Sequence, residues 1–493
     1  MELTRRDFLR LMSAVAAGAV LISCKPAATP APPAEEKPAA KEKAEEKPAK
    51  PAKEIELVWM CRTSPEENPW EEDIVKPDFE AKHPNIKIKA MIIDQPDIGV
   101  KREAMIAAKQ PLHVWSPNWG GDGFASDRCR GLLENLTPLV ESSGFDNSDF
   151  IPYTWHCYEF EGKVYGVPQL TCGSYIYVNK DIFEEAGVDL PPTDWSDTSW
   201  TWDELARMAK KITHDYDDVS KAIYGIAAQT GGDPMTQLAL PWGRDCLKKE
   251  AYETGFYEEC YFDDPVVIKS FQFRHDLIWK DKVMPDQSIN EALGELGGTF
   301  QSNKLAMQST GGWGHWAYYG IWTKEKAGEQ AFKWRACPIP YGDTAVEEGY
   351  EGPRAVIYTD PWSITAGLPE DEKEASWEFV EYLATKDAMW AYSKATGTPP
   401  VLQSLLEDYF DLYKGDMTHE EAKEGFMGPY KGYGFESSNH LLVRWEELNE
   451  TWGNTMDPFW TGPEATAEEF LPKLDKIMEE AGKKIKEETT CKV

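Results

Sequence analysis

Residues 55–91, IELVWMCRTSPEENPWEEDIVKPDFEAKHPNIKIKAM, carry the pattern that predicts the fold. The apolar-rich segment 55–60 predicts a strand, and residues 69–84 predict a helix that ends at His83-Pro84. Residues 86–91, IKIKAM, alternate between apolar and polar side chains and predict a second strand. Strand, helix and strand in this order are typical of an α/β fold with a largely parallel sheet.

The same alternation continues along the chain. Residues 101–109 predict a helix and 112–115 a short strand, and a further strand over 174–178 precedes a helix that ends at Gly187. Residues 55–493 are long enough for two or three domains. No later stretch approaches the 18 unbroken apolar residues of a membrane-spanning helix.

The first residues have the composition of an export signal. In residues 4–25, TRRDFLRLMSAVAAGAVLISCK, arginines precede an apolar run that is shorter than the roughly 20 residues of a membrane span. The arginine pair resembles a twin-arginine signal, and Leu21-Ile22-Ser23-Cys24 resembles the cleavage site of bacterial lipoproteins. We therefore expect residues 1–23 to be removed and Cys24 to become a lipidated N-terminus.

Residues 24–54 form a low-complexity segment that follows the predicted cleavage site. Apart from Cys24 and one threonine, they consist of Pro, Ala, Glu and Lys, without an aromatic residue. Such a segment cannot bury enough apolar surface to offset the entropy of ordering, and its prolines keep it extended. We expect a disordered tether that holds the folded part near the outer face of the cell membrane, in the periplasm or at the cell surface.

Net charge and cysteine content limit which ligands, disulfides and metal sites we expect. The formal net charge of −33 disfavours binding to the phosphate backbone of nucleic acid. Removal of Cys24 leaves an even number of cysteines, which an exported protein can oxidise in many pairings. Cys246 and Cys260 bracket a short segment and are one candidate disulfide. No cysteine or histidine group has zinc-site spacing, so we predict neither a metal nor a cofactor.

Several tryptophans stand in polar or glycine-rich surroundings. They occur in SPNWGGDGF (116–124), TGGWGHWAYYG (310–320) and TDPWSITAG (359–367). A tryptophan beside glycine builds a core poorly and suits the wall of a binding cleft.

Eight phrases occur in a fixed order and carry a resemblance to a known family. The phrases run from Ile55 to about Glu480, nearly the whole predicted folded part. Together they resemble the substrate-binding proteins of ABC transporters, in the large extracellular family that includes maltose-binding protein. They are DFEAKHPNIKIKA, CRGLLENLTPLV, GKVYGVP, YVNKDIFEEAGV, TWDELARMAKKI, FDDPVVIKSFQFRHDLIWKDKVMP, FQSNKLAMQSTGGW and EKEASWEFVEYLATKDAMWAYSKATGTPP.

The resemblance implies two α/β lobes joined by crossing strands, with a hinge and a ligand cleft between them. Lobe 1 would comprise residues 55–169 and 357–396, and lobe 2 residues 170–356 and 397–493. Closure about the hinge would bury a small-molecule ligand, and the closed form, which we expect to be a monomer, would dock on the permease subunits of an ABC transporter. Thr171-Cys172 replaces a carboxylate of maltose-binding protein at the first crossing, so the identity of the sugar is not transferred.

Ligands of this fold meet loops at the carboxyl ends of strands. The C–H faces of sugars pack on aromatic rings, and sugar hydroxyls form hydrogen bonds with planar polar groups. Trp313 aligns with a sugar-stacking tryptophan of maltose-binding protein. The resemblance implies the ligand set Arg62, Asn68, Trp70, Asn118, Trp119, Asp122, Thr171, Tyr175, Asp233, Gln237, Trp313, Trp316, Asp360, Trp362 and Trp445.

Two other functions fit parts of the sequence. The acidic residues Glu66, Glu67, Glu71 and Glu72 would suit a polyamine or another small cationic solute. A secreted glycoside hydrolase would need a pair of carboxylates, which the sequence offers no means of choosing. The chain contains no GxSxG, HExxH or phosphate-loop motif. We therefore expect a binding protein for a carbohydrate rather than an enzyme.

Overall fold

The computed structural model describes residues 53–228, 238–296, 298–314, 332–342 and 355–492. The predicted signal and most of the predicted tether, including Cys24, lie outside these residues. Within them the strands are β1 (Ile55–Arg62), β2 (Ile86–Ile93), β3 (Val114–Trp115), β4 (Glu159–Phe160), β5 (Lys163–Val164), β6 (Val167–Asn179), β7 (Ala227–Ala228), β8 (Met307–Gly311), β9 (Trp334–Cys337), β10 (Ala355–Ile364) and β11 (Gly434–Glu436).

One sheet contains nine of these strands. Its order is β2-β1-β3-β10-β6-β8-β7, with β11 beside β10 and β9 beside β6. β1 pairs in parallel with β2 and with β3, as the opening stretch predicts. β10 and β6 run antiparallel to each other, and β10 is also antiparallel to β3. The α/β class is confirmed, but the sheet is mixed rather than largely parallel, because its two central strands run in opposite directions.

Helices cover the sheet and extend beyond it. The α-helices of the described residues are Lys76–Lys82, Gln95–Ala107, Gly123–Cys129, Thr137–Ser143, Pro152–His156, Lys180–Ala186, Trp202–Ile212, Lys249–Thr254, Pro265–Trp279, Gln287–Glu295, Glu370–Leu383, Lys386–Thr396, Leu406–Phe410, His419–Met427, Ser438–Leu441, Trp445–Thr461 and Ala467–Glu488. Trp70–Val75 is a π-helix, and Leu240–Trp242, Gln403–Leu405, Asp411–Tyr413 and Pro429–Lys431 are 3₁₀-helices. None of the described helices is long and apolar enough to span a bilayer.

The helical stretch after β1 follows from its sequence. The helix Lys76–Lys82 continues directly from the π-helix Trp70–Val75, and Pro77 lies just after the junction of the two. The chain leaves the helix at His83, because the following Pro84 disfavours a helical conformation in the residue before it. The buried face includes Phe79, which packs edge-on against Phe379 at 4.9 Å between ring centroids.

Two hydrophobic cores share the strands β6 and β10. Val167 and Leu170 of β6 belong to the first core, whereas Ile176 and Val178 belong to the second. Every residue of β6 is buried. β10 makes the opposite transition, from Ala355 in the second core to its later residues in the first. Both strands therefore cross between two separately packed units, and the predicted lobe boundaries at single residues remain predictions.

A third apolar cluster joins the C-terminal helices to both units. The helices Trp445–Thr461 and Ala467–Glu488 pack against each other and, through Phe271, against the helix Pro265–Trp279. Ala125 and Cys129, from the short helix Gly123–Cys129, belong to the same cluster. This cluster brings the last helices close to the first core.

The disulfide differs from the predicted one. Cys129 and Cys491 are bonded, with their Cα atoms 4.3 Å apart and a sequence separation of 362. Cys246 and Cys260 are free, buried thiols, and their segments meet through the backbone, where the Tyr261 N–H donates to the Cys246 carbonyl (2.9 Å). Spacing favours pairs that are close in sequence, whereas tertiary packing brings these two distant cysteines together.

We predict that the Cys129→Ser/Cys491→Ser double variant is less stable than the native chain by about 2–5 kcal/mol, because the bond restricts the unfolded ensemble. Thermal denaturation with and without dithiothreitol measures this loss. Reductant should lower the melting temperature of the native chain and leave that of the double variant unchanged. A non-reducing peptide map that links Cys246 to Cys260 would contradict the assignment.

Candidate ligand-binding site

A cleft of about 530 Å³ lies where the two cores meet. The first unit, the crossing strands and the C-terminal helices all contribute to it. Its lining residues are Arg62, Gln95, Asn118, Trp119, Leu170, Cys172, Trp313, Tyr358, Asp360, Asn439, His440, Trp445 and Asn449. The volume lies within the range of small-molecule sites in proteins.

Aromatic rings form much of the cleft wall. Trp119 and Trp445 are largely buried, whereas Trp313 and Tyr358 are half-buried and expose part of their rings. The rings of Trp313 and Tyr358 meet edge-on, with 4.7 Å between their centroids. This pair presents apolar surface from β10 and from the residues just after β8.

Trp119 is held on three sides. Its indole Nε1–H donates to the Asp360 carboxylate (2.7 Å), and the Arg62 guanidinium lies 4.4 Å from the ring centroid. Trp362 packs edge-on behind it, with 5.1 Å between the rings. These contacts restrict the indole to one orientation before a ligand arrives.

The charge of Arg62 is compensated inside the first unit. Its guanidinium donates twice to Glu67, over 2.5 and 2.8 Å, in the two-pronged arrangement that is strongest for an arginine–carboxylate pair. The Tyr392 hydroxyl donates to the same carboxylate (2.6 Å). Arg62 therefore reaches the cleft as part of a buried, hydrogen-bonded pair rather than as an isolated cation.

Asn118 connects the first unit to β10. Its amide donates to the Tyr158 hydroxyl (2.8 Å) and to the Thr359 carbonyl (2.9 Å), and its carbonyl accepts from the Phe124 N–H (3.2 Å). The side chain is thus fully engaged on the side away from the cleft. Any ligand contact would use its remaining exposed edge.

His440 links two carboxylates across the cleft floor. Its Nδ1 is hydrogen-bonded to Glu436, and its Nε2 lies 3.9 Å from Asp360. Glu436 also accepts the Thr359 N–H (3.1 Å). Because Asp360 holds Trp119, one continuous set of polar contacts joins the C-terminal segment to the tryptophan of the first unit.

Gly123 permits the opposing walls to approach. It has φ +81°, a conformation that L side chains rarely adopt, and a Cβ at this position would lie 2.0 Å from the Asn439 carbonyl oxygen. The helix Ser438–Leu441 can therefore pack directly against Gly123–Cys129. This contact places Asn439 and His440 opposite the loop that carries Trp119.

Six predicted ligand residues line the cleft. They come from separate parts of the chain, and the fold brings them together: Arg62, Asn118, Trp119, Trp313, Asp360 and Trp445. Their role in binding remains a prediction, which the geometry makes testable.

Six other predicted ligand residues are not in the cleft lining. Trp70 is buried beneath β1, where its Nε1–H donates to the Ala388 carbonyl (3.0 Å), and Trp362 forms the layer behind Trp119. Tyr175 donates its hydroxyl to the Phe426 carbonyl (3.0 Å) inside the second core. The remaining three engage other groups: Asn68 donates to Glu71, Asp122 accepts the Glu446 N–H, and Thr171 is hydrogen-bonded to Thr359 and Tyr430.

Three predicted residues, Asp233, Gln237 and Trp316, lie outside the described residues. Within the described ranges, no group of three or more His, Cys, Asp and Glu side chains is arranged to hold a metal ion.

The cleft also contains residues that the sequence prediction missed. Two of them had a usable signal. Tyr358 lies two residues before Asp360 on one strand and therefore shares its face. Asn449 lies four residues after Trp445 on one helix and shares that face as well. The others carried no such signal: Gln95, Leu170, Cys172, Asn439 and His440.

The sequence profile of the bacterial extracellular solute-binding proteins matches residues 63–390, more than half of the chain. The chain belongs to this family. Its members are binding proteins rather than enzymes, and membership implies that the chain works outside the cytoplasm.

Individual substrate-binding and sugar-binding proteins resemble most of the chain. The multiple sugar-binding protein of Streptococcus mutans is 24% identical over 344 residues, 67% of this chain and 72% of that protein. An ABC substrate-binding protein of Listeria monocytogenes, solved in complex with cycloalternan, superposes with a TM-score of 0.70 at 18% identity, over 87% of this chain and 99% of that one. Maltose-bound MalE3 of T. maritima superposes with a TM-score of 0.66 at 19% identity, over 87% and 100%. The predicted two-lobed binding-protein fold is thereby confirmed.

Glu71 is a buried acid behind the cleft of this solute-binding protein. It is 1% exposed and accepts a hydrogen bond from the Asn68 amide (2.7 Å). Burial raises the pKa of its carboxyl from 4.5 to about 7, and the hydrogen bond from Asn68 only partly opposes this shift. The folded chain therefore holds a proton at Glu71 over a pH range in which the unfolded chain has lost it.

We predict that the effect of Glu71→Gln on the free energy of unfolding, relative to the native chain, is more stabilising at pH 8 than at pH 5. The stabilisation by the bound proton is complete below pH 4.5 and is lost as pH rises through about 7, whereas a glutamine loses nothing. The free energy of unfolding of Glu71→Gln, minus that of the native chain, should grow by about 2 kcal/mol between pH 5 and pH 8. Urea denaturation at both pH values measures it.

The exposed neighbour Glu72 provides the control. Glu72→Gln removes the same charge from a solvated position and should leave this pH dependence as it is in the native chain. An equal response in both variants would mean that net charge, rather than burial of Glu71, causes the effect.

Proposed function

We propose that this protein is a lipid-anchored solute-binding protein that captures a sugar or oligosaccharide by hinge closure and delivers it to an ABC transporter permease. The binding site of the proposal is the cleft between the two cores. Cys24 is its lipid anchor, and residues 24–54 are its tether.

The composition of the cleft wall carries the proposal. Three tryptophans and a tyrosine offer apolar faces to the C–H surfaces of sugar rings. The amides of Gln95, Asn439 and Asn449 offer planar donors and acceptors to hydroxyl groups, and the Asn118 side-chain oxygen offers an acceptor. Arg62 and Asp360 already have partners, so the cleft suits a neutral, hydroxyl-rich ligand better than an ion.

The relatives support the same ligand class. One is named for binding multiple sugars, and two solved structures of the same fold hold cycloalternan and maltose. Identity to these proteins is low, so the particular sugar is not transferred. The class of ligand is what the cleft chemistry and the relatives have in common.

A polyamine ligand is less compatible with the cleft. Its cationic amines would require carboxylates that face the ligand. Of the acidic residues after β1, Glu67 is paired with Arg62, Glu71 is buried beside Asn68, and Glu72 is exposed; none of them lines the cleft.

The shared strands support hinge closure. Because the main chain passes between the two cores through β6 and β10, a small rotation there would open or close the cleft without disturbing either core. The ligand would complete the contacts between walls, and the closed form would be the one that the permease recognises.

We predict that residues 55–493 bind one class of neutral sugar with saturable changes in tryptophan fluorescence and in melting temperature. A ligand that binds only the folded state must raise the melting temperature. Mono- and oligosaccharides are titrated in parallel with spermidine. Trp313→Ala should weaken binding of the sugar by more than about 1 kcal/mol, because the indole face is lost.

Trp313→Phe is the matched control, since it retains an aromatic face and should recover most of the affinity. An unchanged affinity in Trp313→Ala would remove this residue from the site. A response to spermidine alone would overturn the sugar proposal and favour the polyamine.

The anchor has its own test. Cys24→Ser removes the sulfur that would carry the lipid, so the variant should appear in the soluble extracytoplasmic fraction while the native protein stays with the membrane. Fractionation and the mass of the mature N-terminus measure the difference. Equal membrane retention of both forms would contradict lipid anchoring at Cys24.

A further inference from the structure

A second cavity adjoins the ligand cleft. Asn449, which closes the cleft on the C-terminal side, also lines a second cavity of about 620 Å³. The second cavity lies between the helix Trp445–Thr461 and the segment around Gln287–Glu295. The two cavities therefore share a wall residue and adjoin each other.

One helix forms a common wall for both cavities. Trp445, Asn449, Gly453, Met456 and Trp460 follow each other at intervals of three or four residues, which places them on one face of Trp445–Thr461. At 1.5 Å per residue, this face extends for about 22 Å from Trp445 to Trp460. A single monosaccharide would cover only a small part of that length.

The second cavity combines amides, carboxylates and an aromatic ring, which can bind the hydroxyls and the C–H faces of a sugar chain. Gln287 and Asn290 supply amides, and Trp460 supplies a half-buried ring. Among the described residues that line it, none is Lys, Arg or His, whereas Asp286, Glu291 and Asp457 are acidic. An anionic ligand would be repelled from this cavity.

Gly453 leaves the path along the helix open. It is exposed in the middle of a 17-residue helix, and a Cβ built on it meets no atom within 4 Å. Glycine destabilises a helix interior relative to alanine, and packing gives no reason for it here. Free passage for a ligand between the two cavities would explain a glycine at this position.

We infer that the ligand is an oligosaccharide whose first units bind between Trp119 and Trp313 and whose further units extend over Gly453 into the second cavity. This inference rests on the proposed function and adds the length of the ligand to it. The second cavity holds the distal units, and Gly453 is the position that a side chain would block.

Calorimetric titration with maltose, maltotriose and maltohexaose, and with the matching xylo-oligosaccharides, tests this inference. The native chain should bind the hexasaccharide of one series at least ten times more tightly than its disaccharide. Gly453→Phe should remove that gain and leave affinity for the disaccharide within twofold of the native value. Gly453→Ala, with a side chain too small to block the groove, should retain the gain and raise the melting temperature.

Gly453→Leu is a smaller obstruction and provides a second blocked variant if the phenylalanine disturbs folding, which thermal denaturation reports. Equal affinities for short and long chains in the native protein would overturn the inference and leave the proposed function intact. So would a loss of affinity in Gly453→Phe that is the same at every length, or no loss at all. Failure of every sugar to bind would overturn the proposed function and the inference together.

Discussion

The antiparallel pairing of β6 with β10 is the constraint on which the rest of the molecule depends. These strands run from one hydrophobic core to the other. Successive residues of a strand face opposite sides. Tyr358 and Asp360 therefore face the cleft, whereas Thr359 between them is buried: its carbonyl accepts from the Asn118 amide and its N–H donates to Glu436. The same pairing thus joins the units and orients the site.

Buried polar groups hold the cleft wall in shape. Glu67, Arg62 and Tyr392 form one set in the first unit, and Glu436 and His440 form another in the C-terminal segment. Both sets meet at Trp119, directly through Arg62 and indirectly through Asp360. Because each charge has a partner, little reorganisation is needed when a ligand displaces water. The side chains of the wall are therefore held in place before a ligand arrives.

The sequence predicted most of the local structure, and physical reasons explain where it succeeded. The apolar run in residues 55–60 predicted β1, whose residues 57–62 are all buried, and the alternation in residues 86–91 predicted β2, because a strand with one buried face must alternate. Gly187 ends its helix in the left-handed conformation that glycine tolerates. The antiparallel direction of β10 could not be predicted, since it depends on how the chain returns from the second unit.

The candidate site was predictable only in part. Tryptophan in a glycine-rich phrase located Trp119 and Trp313 at the cleft, yet Trp362 of TDPWSITAG lies one layer deeper than predicted, because nothing in the phrase shows that another ring covers it. The prediction for Trp70 was wrong for the same reason. His440 and Asn439 could not be found, because only the close approach at Gly123 brings their segment to the cleft. Local sequence therefore indicates the chemistry of a side chain better than how deeply that side chain is buried.

The bond between Cys129 and Cys491 also determines an order of events. Cys129 is synthesised 362 residues before its partner, and other cysteines become available in the interval. In the finished fold those thiols are buried, apart from the partly buried Cys157, and burial raises the pKa of Cys246 and Cys337, which leaves little thiolate for exchange. Correct pairing therefore requires that folding come first and oxidation second. The tertiary structure therefore selects which cysteines pair. The reduced chain must consequently be able to fold without the disulfide.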